Sequence, residues 1–241
     1  DSSYRMVSGD FGYGWILGIL SAKLQDSTTP GGNWDQIMSS GGGAIGMPTY
    51  TITEKKPHTV TIDWGNGKID KFDMKISPSS QQLIPIEFGI SVSYEAQSGT
   101  SATLEALDPV SGLFYNEGYI YGSASFMEVY NPSRYKLTQT DGTVYIFDEL
   151  KGIESITYTD GTTITFDENG VHHSGGKSIV FERDDSGRIS GISAPSGQSV
   201  GYTYDDAGNL IAFTDPAVYT TGFEYDDNHY LTGIIDPRGV R

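Results

Sequence analysis

Val200-Gly201-Tyr202-Thr203-Tyr204-Asp205-Asp206-Ala207-Gly208-Asn209-Leu210 is the stretch that decides the fold. In an extended chain Tyr202 and Tyr204 fall on one face and Thr203 on the other. Asp205 to Asn209 reads as a turn, with Gly208 available for positive φ. Leu210 to Thr214 reads as the returning strand. Asp215-Pro216 closes the unit, because proline ends ladder pairing and aspartate favours turns. The same pattern stands upstream in Ile179 to Ile189 and downstream in Thr221 to Leu231. The step is 21 residues in every column: Phe181, Tyr202 and Phe223; Asp184, Asp205 and Asp226; Ile189, Leu210 and Leu231; Ile192, Phe213 and Ile234; Pro195, Pro216 and Pro237. A repeat of that length marks an array of equivalent units. Two strands of about six residues plus two turns fill one unit, so each is a β-hairpin.

Upstream the period loosens. Thr140-Asp141-Gly142-Thr143 recurs as Thr159-Asp160-Gly161-Thr162, a step of 19. Asp-Gly between β-rich runs is a strong hairpin signal. Asp167 to Gly176, with His172-His173, breaks the period and reads as an irregular turn or a shortened unit. Residues 1–130 are less regular. Thr59 to Trp64 and Lys68 to Phe72 flank Gly65-Asn66-Gly67 as a hairpin. Ile86 to Ala96 and Ser101 to Leu107 read as strands, while Gly41-Gly42-Gly43 and Ser77-Pro78-Ser79-Ser80 mark loops. Only Trp34 to Met38 has the look of a helical turn. The expected organisation is a β-rich opening region over 1–130 and hairpin repeats over 131–241.

Composition narrows the function. The chain has 31 Asp plus Glu against 15 Lys plus Arg, a net charge of −16 that repels nucleic acid and anionic lipid. Cysteine is absent, which removes disulfides and thiolate chemistry. No run of 18 apolar residues offers a membrane span, and Trp15 to Leu20 is too short, and lacks the basic flank, for a secretion signal. The abrupt start at Asp1 reads as a cut from a longer protein.

The chemistry-bearing residues favour structure over catalysis. Asp184-Asp185, Asp205-Asp206 and Asp226-Asp227 are oxygen-rich pairs that suit Ca²⁺, but neighbours on a strand point oppositely and aspartate serves turns. His172-His173 reads as a solvated loop pair, since adjacent histidines rarely chelate one ion. His58 and His229 stand alone. No Gly-x-Ser-x-Gly elbow and no phosphate loop occur. Trp15, Trp34 and Trp64 suit core packing before sugar stacking. No catalytic residue, metal or cofactor is expected.

Tyr204-Asp205-Asp206-Ala207-Gly208-Asn209-Leu210 resembles the YD repeat of rearrangement-hotspot (Rhs) proteins, and Asp236-Pro237-Arg238-Gly239-Val240 resembles the connector between such repeats. Phe11-Gly12-Tyr13-Gly14-Trp15 is similar to the Phe-Gly-x-Gly-Trp element that opens many Rhs domains, with Phe11, Gly12, Gly14 and Trp15 as its signature. The resemblance covers about residues 4–20 and 135–241, with signature positions Phe181, Tyr202, Tyr204, Asp205, Gly208, Leu210, Phe223, Tyr225, Asp226 and Leu231. It departs at His229, which replaces the turn glycine, and at Arg183, which replaces the tyrosine. Rhs shells also use many more repeats than the roughly five units here. The family's self-cleavage element is not recognisable, because Asp236-Pro237 stands in register with Asp215-Pro216.

The resemblance implies an all-β fold in which tandem hairpins form a curved, spiralling antiparallel sheet, part of a hollow shell. Related shells enclose toxic C-terminal segments in polymorphic toxins and insecticidal toxin complexes, and teneurins and bacterial wall-associated proteins carry similar repeats. The expected partners are proteins: further repeats, an enclosed segment, or another copy through the sheet edges. Carbohydrate is a possible ligand; nucleic acid is not expected. The expected location is secreted or at a bacterial cell surface. The rival readings are a surface adhesin or carbohydrate-binding module, a glycosidase-like enzyme, and a filament subunit.

Overall fold

The computed structural model describes residues 8–15, 22–41, 46–122 and 128–241. Residues 16–20 of the apolar stretch and Gly42-Gly43 of the glycine run lie outside the described residues, as do residues 4–7 of the opening resemblance. Among the described residues there is no helix, and the antiparallel sheets make the chain all-β. The fold divides into two compact units. One spans Ala22–Asp160; the other is Gly161–Arg241 together with the opening stretch. The division between these two compact units falls in the Asp160-Gly161 turn.

The opening stretch is a miniature hairpin, β1 (Ser8–Gly9) and β2 (Gly12–Tyr13), paired Ser8 to Tyr13 and Gly9 to Gly12.

The unit of residues 22–160 holds three groups of strands. β3 (Lys23–Asp26), β6 (Thr59–Asp63), β7 (Ile69–Ser77), β9 (Phe88–Ala96), β11 (Leu113–Asn116) and β12 (Tyr119–Tyr121) form a six-stranded sheet, β12-β11-β9-β7-β6-β3. β4 (Trp34–Ser40), β5 (Pro48–Glu54) and β8 (Ser80–Gln82) form a three-stranded sheet in that order. β10 (Thr103–Ala106), β13 (Arg134–Thr138), β14 (Val144–Asp148) and β15 (Gly152–Thr157) pair in succession. Trp34, Ile52, Met74, Ile86, Ile90, Val92, Leu113 and Ile120 build the core. Trp34 stacks on His58 at 4.2 Å and donates its indole N–H to the Pro30 carbonyl. Trp64 meets Tyr145 and Phe147 edge-on at 5.0 and 5.8 Å. Contacts of that kind tie the first repeat-like hairpins to the residues before them. Trp34–Met38 is strand, a correction to the helical-turn expectation. Its apolar residues at i, i+3 and i+4 mimic a helix, but every residue of the stretch pairs with β5 instead.

In the second unit β16 (Thr163–Asp167), β17 (Gly170–His173), β18 (Ser178–Arg183), β19 (Ile189–Ser193), β20 (Ser199–Tyr204), β21 (Leu210–Thr214), β22 (Thr220–Tyr225) and β23 (Leu231–Ile235) run as an antiparallel meander, each strand beside the next. His172-His173 ends strand β17 and is not a loop pair. Glu168-Asn169 is the tight turn that lets this shortened unit keep both ladders.

Three β-bulges recur at the repeat period. Arg183 pairs with Ile189 but Glu182 with Gly191; Tyr204 with Leu210 but Thr203 with Ala212; Tyr225 with Leu231 but Glu224 with Gly233. One extra residue, Ser190, Ile211 or Thr232, is looped out each time. That residue resolves a parity problem. Ile189 and Ile192 are three apart, and a regular strand would put them on opposite faces; the bulge returns both to one face. Ile189 and Leu210 are buried, whereas Leu231 is exposed.

The turns repeat as well. The fourth turn residue takes positive φ at Gly187, Gly208 and His229 on one side, and at Gly197, Val218 and Gly239 on the other. Val218, at φ 69° and 80% exposed, is a β-branched residue in a region that costs L-residues about 1–2 kcal/mol. Val218→Gly is expected to raise stability by about 1 kcal/mol, the strain relief less the extra chain entropy of glycine. Urea unfolding reads the change; an unmoved or lowered midpoint sinks the strain argument.

Candidate functional site

The first aspartate of each acidic pair is used by its own turn. Asp184 Oδ1 accepts the N–H groups of Ser186 and Arg188 at 3.0 and 2.9 Å; Asp226 Oδ1 accepts those of Asn228 and Tyr230, both at 2.9 Å. Asp205 accepts the Asn209 N–H at 2.8 Å and the Asn209 amide at 2.9 Å. Burial pushes the Asp205 carboxyl up, but the Asn209 side chain and the turn's N–H groups outweigh it and hold it below the usual range. Asp185, Asp206 and Asp227 are exposed. Among the described residues no three acidic or histidine side chains gather into a metal-binding group. The pairs are turn-makers, with one member inward to the backbone and one in solvent.

The largest concentration of specific contacts lies where the opening hairpin meets the repeats. Phe11 sits at the hairpin tip, 6% exposed, and packs with Phe181 and Ile189. Its ring lies 4.9 Å from that of Tyr202, which in turn lies 5.6 Å from Phe213. Tyr13 stacks on His229 at 4.0 Å and donates its backbone N–H to Gly208 at 3.3 Å. Trp15 lies 5.3 Å from Phe223 and donates its indole N–H to the Tyr225 hydroxyl at 2.7 Å. The three aromatics of the opening motif therefore meet the three successive repeats, Phe11 on 181 and 202, Tyr13 on 208 and 229, Trp15 on 223 and 225. The column Phe181, Tyr202, Phe223 is completed by rings from this hairpin.

Both glycines of the motif have positive φ, 75° at Gly12 and 79° at Gly14. A Cβ on Gly12 would run into the carbonyl oxygen of Gly208. Glycine is required there by backbone conformation and by the approach of two backbones at once.

Two departures from the repeat pattern have roles here. Arg183, in the place of the tyrosine, reaches Asp10 Oδ1 at 2.7 Å and the Gly187 carbonyl at 2.7 Å, while its Nε donates to Glu168. The Asp10 carbonyl accepts the N–H of Ile189 at 2.7 Å. His229, in the place of the turn glycine, adopts φ 63° itself and donates Nδ1–H to Asn209 Oδ1 at 2.6 Å. Asn209 can accept because its amide N–H is committed to Asp205. Of the other signature residues, Tyr204 donates its hydroxyl to the Ile189 carbonyl and lies under the Arg188 guanidinium at 4.3 Å. Burial pushes the Tyr225 phenol up, partly offset by Trp15. Arg183, His229 and Asp10 were not assigned to any site by sequence; Arg183 and His229 were marked by their breach of an otherwise regular column, and Asp10 carried no such mark.

The RHS Repeat family model matches residues 183–217 and 204–241 of this chain. No curated protein matches it.

Proposed function

Because this chain is an Rhs (YD-repeat) protein, with its repeats spanning residues 183–241, we propose that it forms part of the β-wall of a large exported bacterial protein that encloses or scaffolds a toxin or effector segment. RHS repeats are structural, and in this reading no residue of the chain carries catalysis. A continuous sheet of hairpins shields an enclosed polypeptide from solvent and protease. What supports the reading is the opening hairpin seated across three repeats. A wall must hold its hairpins in one register, and residues 8–15 contact each of them through a different side chain. Nearest-neighbour coupling of this kind makes an array cooperative.

The test uses the native protein from its source, by intact mass and limited proteolysis. The expected result is a segment outside the repeats that resists protease until the protein is denatured. A native protein whose every segment outside the repeats is cut freely overturns containment.

A second reading is adhesion or filament assembly through sheet edges. It predicts association that rises with protein concentration and falls when Ile234 is replaced by lysine, read by sedimentation velocity.

A further inference from the structure

In the unit of residues 22–160 the core is open at one end. Trp34, Gln36 and Met38 of β4 share a face with Ile52 and Tyr50 of β5, and this face is buried at Trp34 and Ile52. Farther along, the same face overhangs a groove of about 700 Å³ whose walls include Met38, Tyr50, Phe88 and Phe114. Met38 is 60% and Phe88 69% exposed, so the apolar lining continues from the core into solvent. Phe88 stacks on Phe114 at 6.0 Å and Phe114 on Tyr121 at 4.9 Å. The rim is acidic: Glu87 and Glu117 line it, and among the described residues no lysine or arginine does.

The groove also borders the outer edge of β4, which is partnered in its first half and open among the described residues at Met38. Lys55 donates to the Asn33 carbonyl and Gly41 to that of Met47, so the odd-numbered residues of β4 bond to β5. The even-numbered residues therefore turn their N–H and C=O groups the other way. Trp34 does so and donates to Gly118 at 3.1 Å, and the backbone of Gln36 is hydrogen-bonded to the Tyr115 hydroxyl. At Met38 no described backbone group answers on that side. An edge of this kind accepts an added strand, whose alternate side chains fall into the neighbouring groove.

We propose that this groove binds an extended polypeptide that pairs with the open backbone of β4 at Met38, seats an apolar side chain between Met38 and Phe88, and sets lysine or arginine against Glu87 and Glu117. Charge chooses the partner: an all-acidic rim on a chain of net charge −16 attracts a basic segment and repels another copy of itself. A neutral sugar would use the aromatic rings and donate hydroxyls to the glutamates, but it brings no cation to neutralise them and no backbone to pair with β4 at Met38. The inference stands independently of the wall reading.

The test titrates the full chain with three probes: the blocked, fluorescent peptides Lys-Val-Phe-Val-Lys and Glu-Val-Phe-Val-Glu, and chitohexaose. The lysine peptide is expected to bind at least about tenfold more tightly than the glutamate peptide, and to weaken with salt. Combining Glu87→Gln with Glu117→Gln is expected to remove most of that preference. Met38→Pro deletes the outward N–H at an edge position where proline is tolerated, and is expected to abolish binding without moving Tm, whereas Met38→Ala only weakens it. Phe88→Ala, at an exposed position, provides the same check without touching the backbone. Equal binding of the two peptides, binding of chitohexaose alone, binding unchanged in both Met38→Pro and Phe88→Ala, or no peptide binding at millimolar concentration each overturns the proposal.

Discussion

Gly12→Ala is expected to detach the opening hairpin from the repeats and to lower the stability of the repeat unit by about 2–4 kcal/mol. The figure has three parts. An alanine at φ 75° costs about 1–2 kcal/mol by itself. Its Cβ collides with a backbone carbonyl, that of Gly208, which cannot rotate away as a side chain would. Relief of the collision breaks the Tyr13 to Gly208 hydrogen bond, worth about 1 kcal/mol, and loosens Phe11 and Trp15 from their sites. Gly187→Ala is the control. It has φ 81° but open space around its Cβ, so only the conformational cost applies, about 1–2 kcal/mol. Hydrogen exchange separates the two. The Ile189 amide is bonded to Asp10, so it should exchange faster in Gly12→Ala and hold its rate in Gly187→Ala. Equal effects of the two substitutions would show that the hairpin's docking is not what glycine protects.

The hairpin array was legible because a 21-residue period leaves its mark in every column at once. The bulges were written there too, in the spacing of three between Ile189 and Ile192, Leu210 and Phe213, and Leu231 and Ile234. Three is an odd number in a structure whose side chains alternate, so a strand that sets both members on one face must carry an extra residue. The docking of residues 8–15 was not legible. Its bonds span 173 residues from Asp10 to Arg183 and 210 from Trp15 to Tyr225. No local pattern encodes a contact of that separation. What sequence did show was the pair of facts the contact explains, a motif with two glycines and two irregular repeats. Trp34–Met38 failed for a different reason. Apolar spacing of three and four describes a helix face, and it also describes a strand that buries Trp34 inside while leaving Ile37 and Met38 exposed toward its free end. The division at residue 160 was hidden because Tyr135, Tyr145 and Phe147 belong to hairpins by pattern and to the preceding unit by packing.

Asp26 makes the largest pH-dependent prediction. It ends β3, where its Oδ2 accepts the hydroxyl of fully buried Tyr135 at 3.0 Å, while its Oδ1 is buried with no hydrogen-bond partner. Burial pushes its carboxyl up from 3.8 to about 7; the Tyr135 bond lowers it and the charge of Glu149 raises it. The phenols of Tyr94 and Tyr135 are themselves pushed up by burial, and that of Tyr130 up to about 12, so they stay neutral and add no charge beside it. An unpaired buried charge is a cost, and linkage fixes its sign. Below about pH 4 the carboxyl is protonated in both folded and unfolded chains and costs nothing. As pH rises toward 7, the unfolded chain releases the proton while the folded chain keeps it, so stability falls. Above 7 both are ionised and the loss is complete. An asparagine side chain in its place would keep an acceptor for Tyr135 and never ionise. Asp26→Asn is therefore expected to be near neutral at pH 4 and to stabilise by about 2–4 kcal/mol at pH 8, three units of proton affinity at about 1.4 kcal/mol each, less what relaxation recovers. Urea midpoints of the two proteins, measured from pH 4 to pH 8, should diverge through that window and run parallel above it. A gap that is constant with pH would mean that the benefit comes from packing, and a variant less stable at pH 8 would mean that the Asp26 carboxylate is paired in the folded chain.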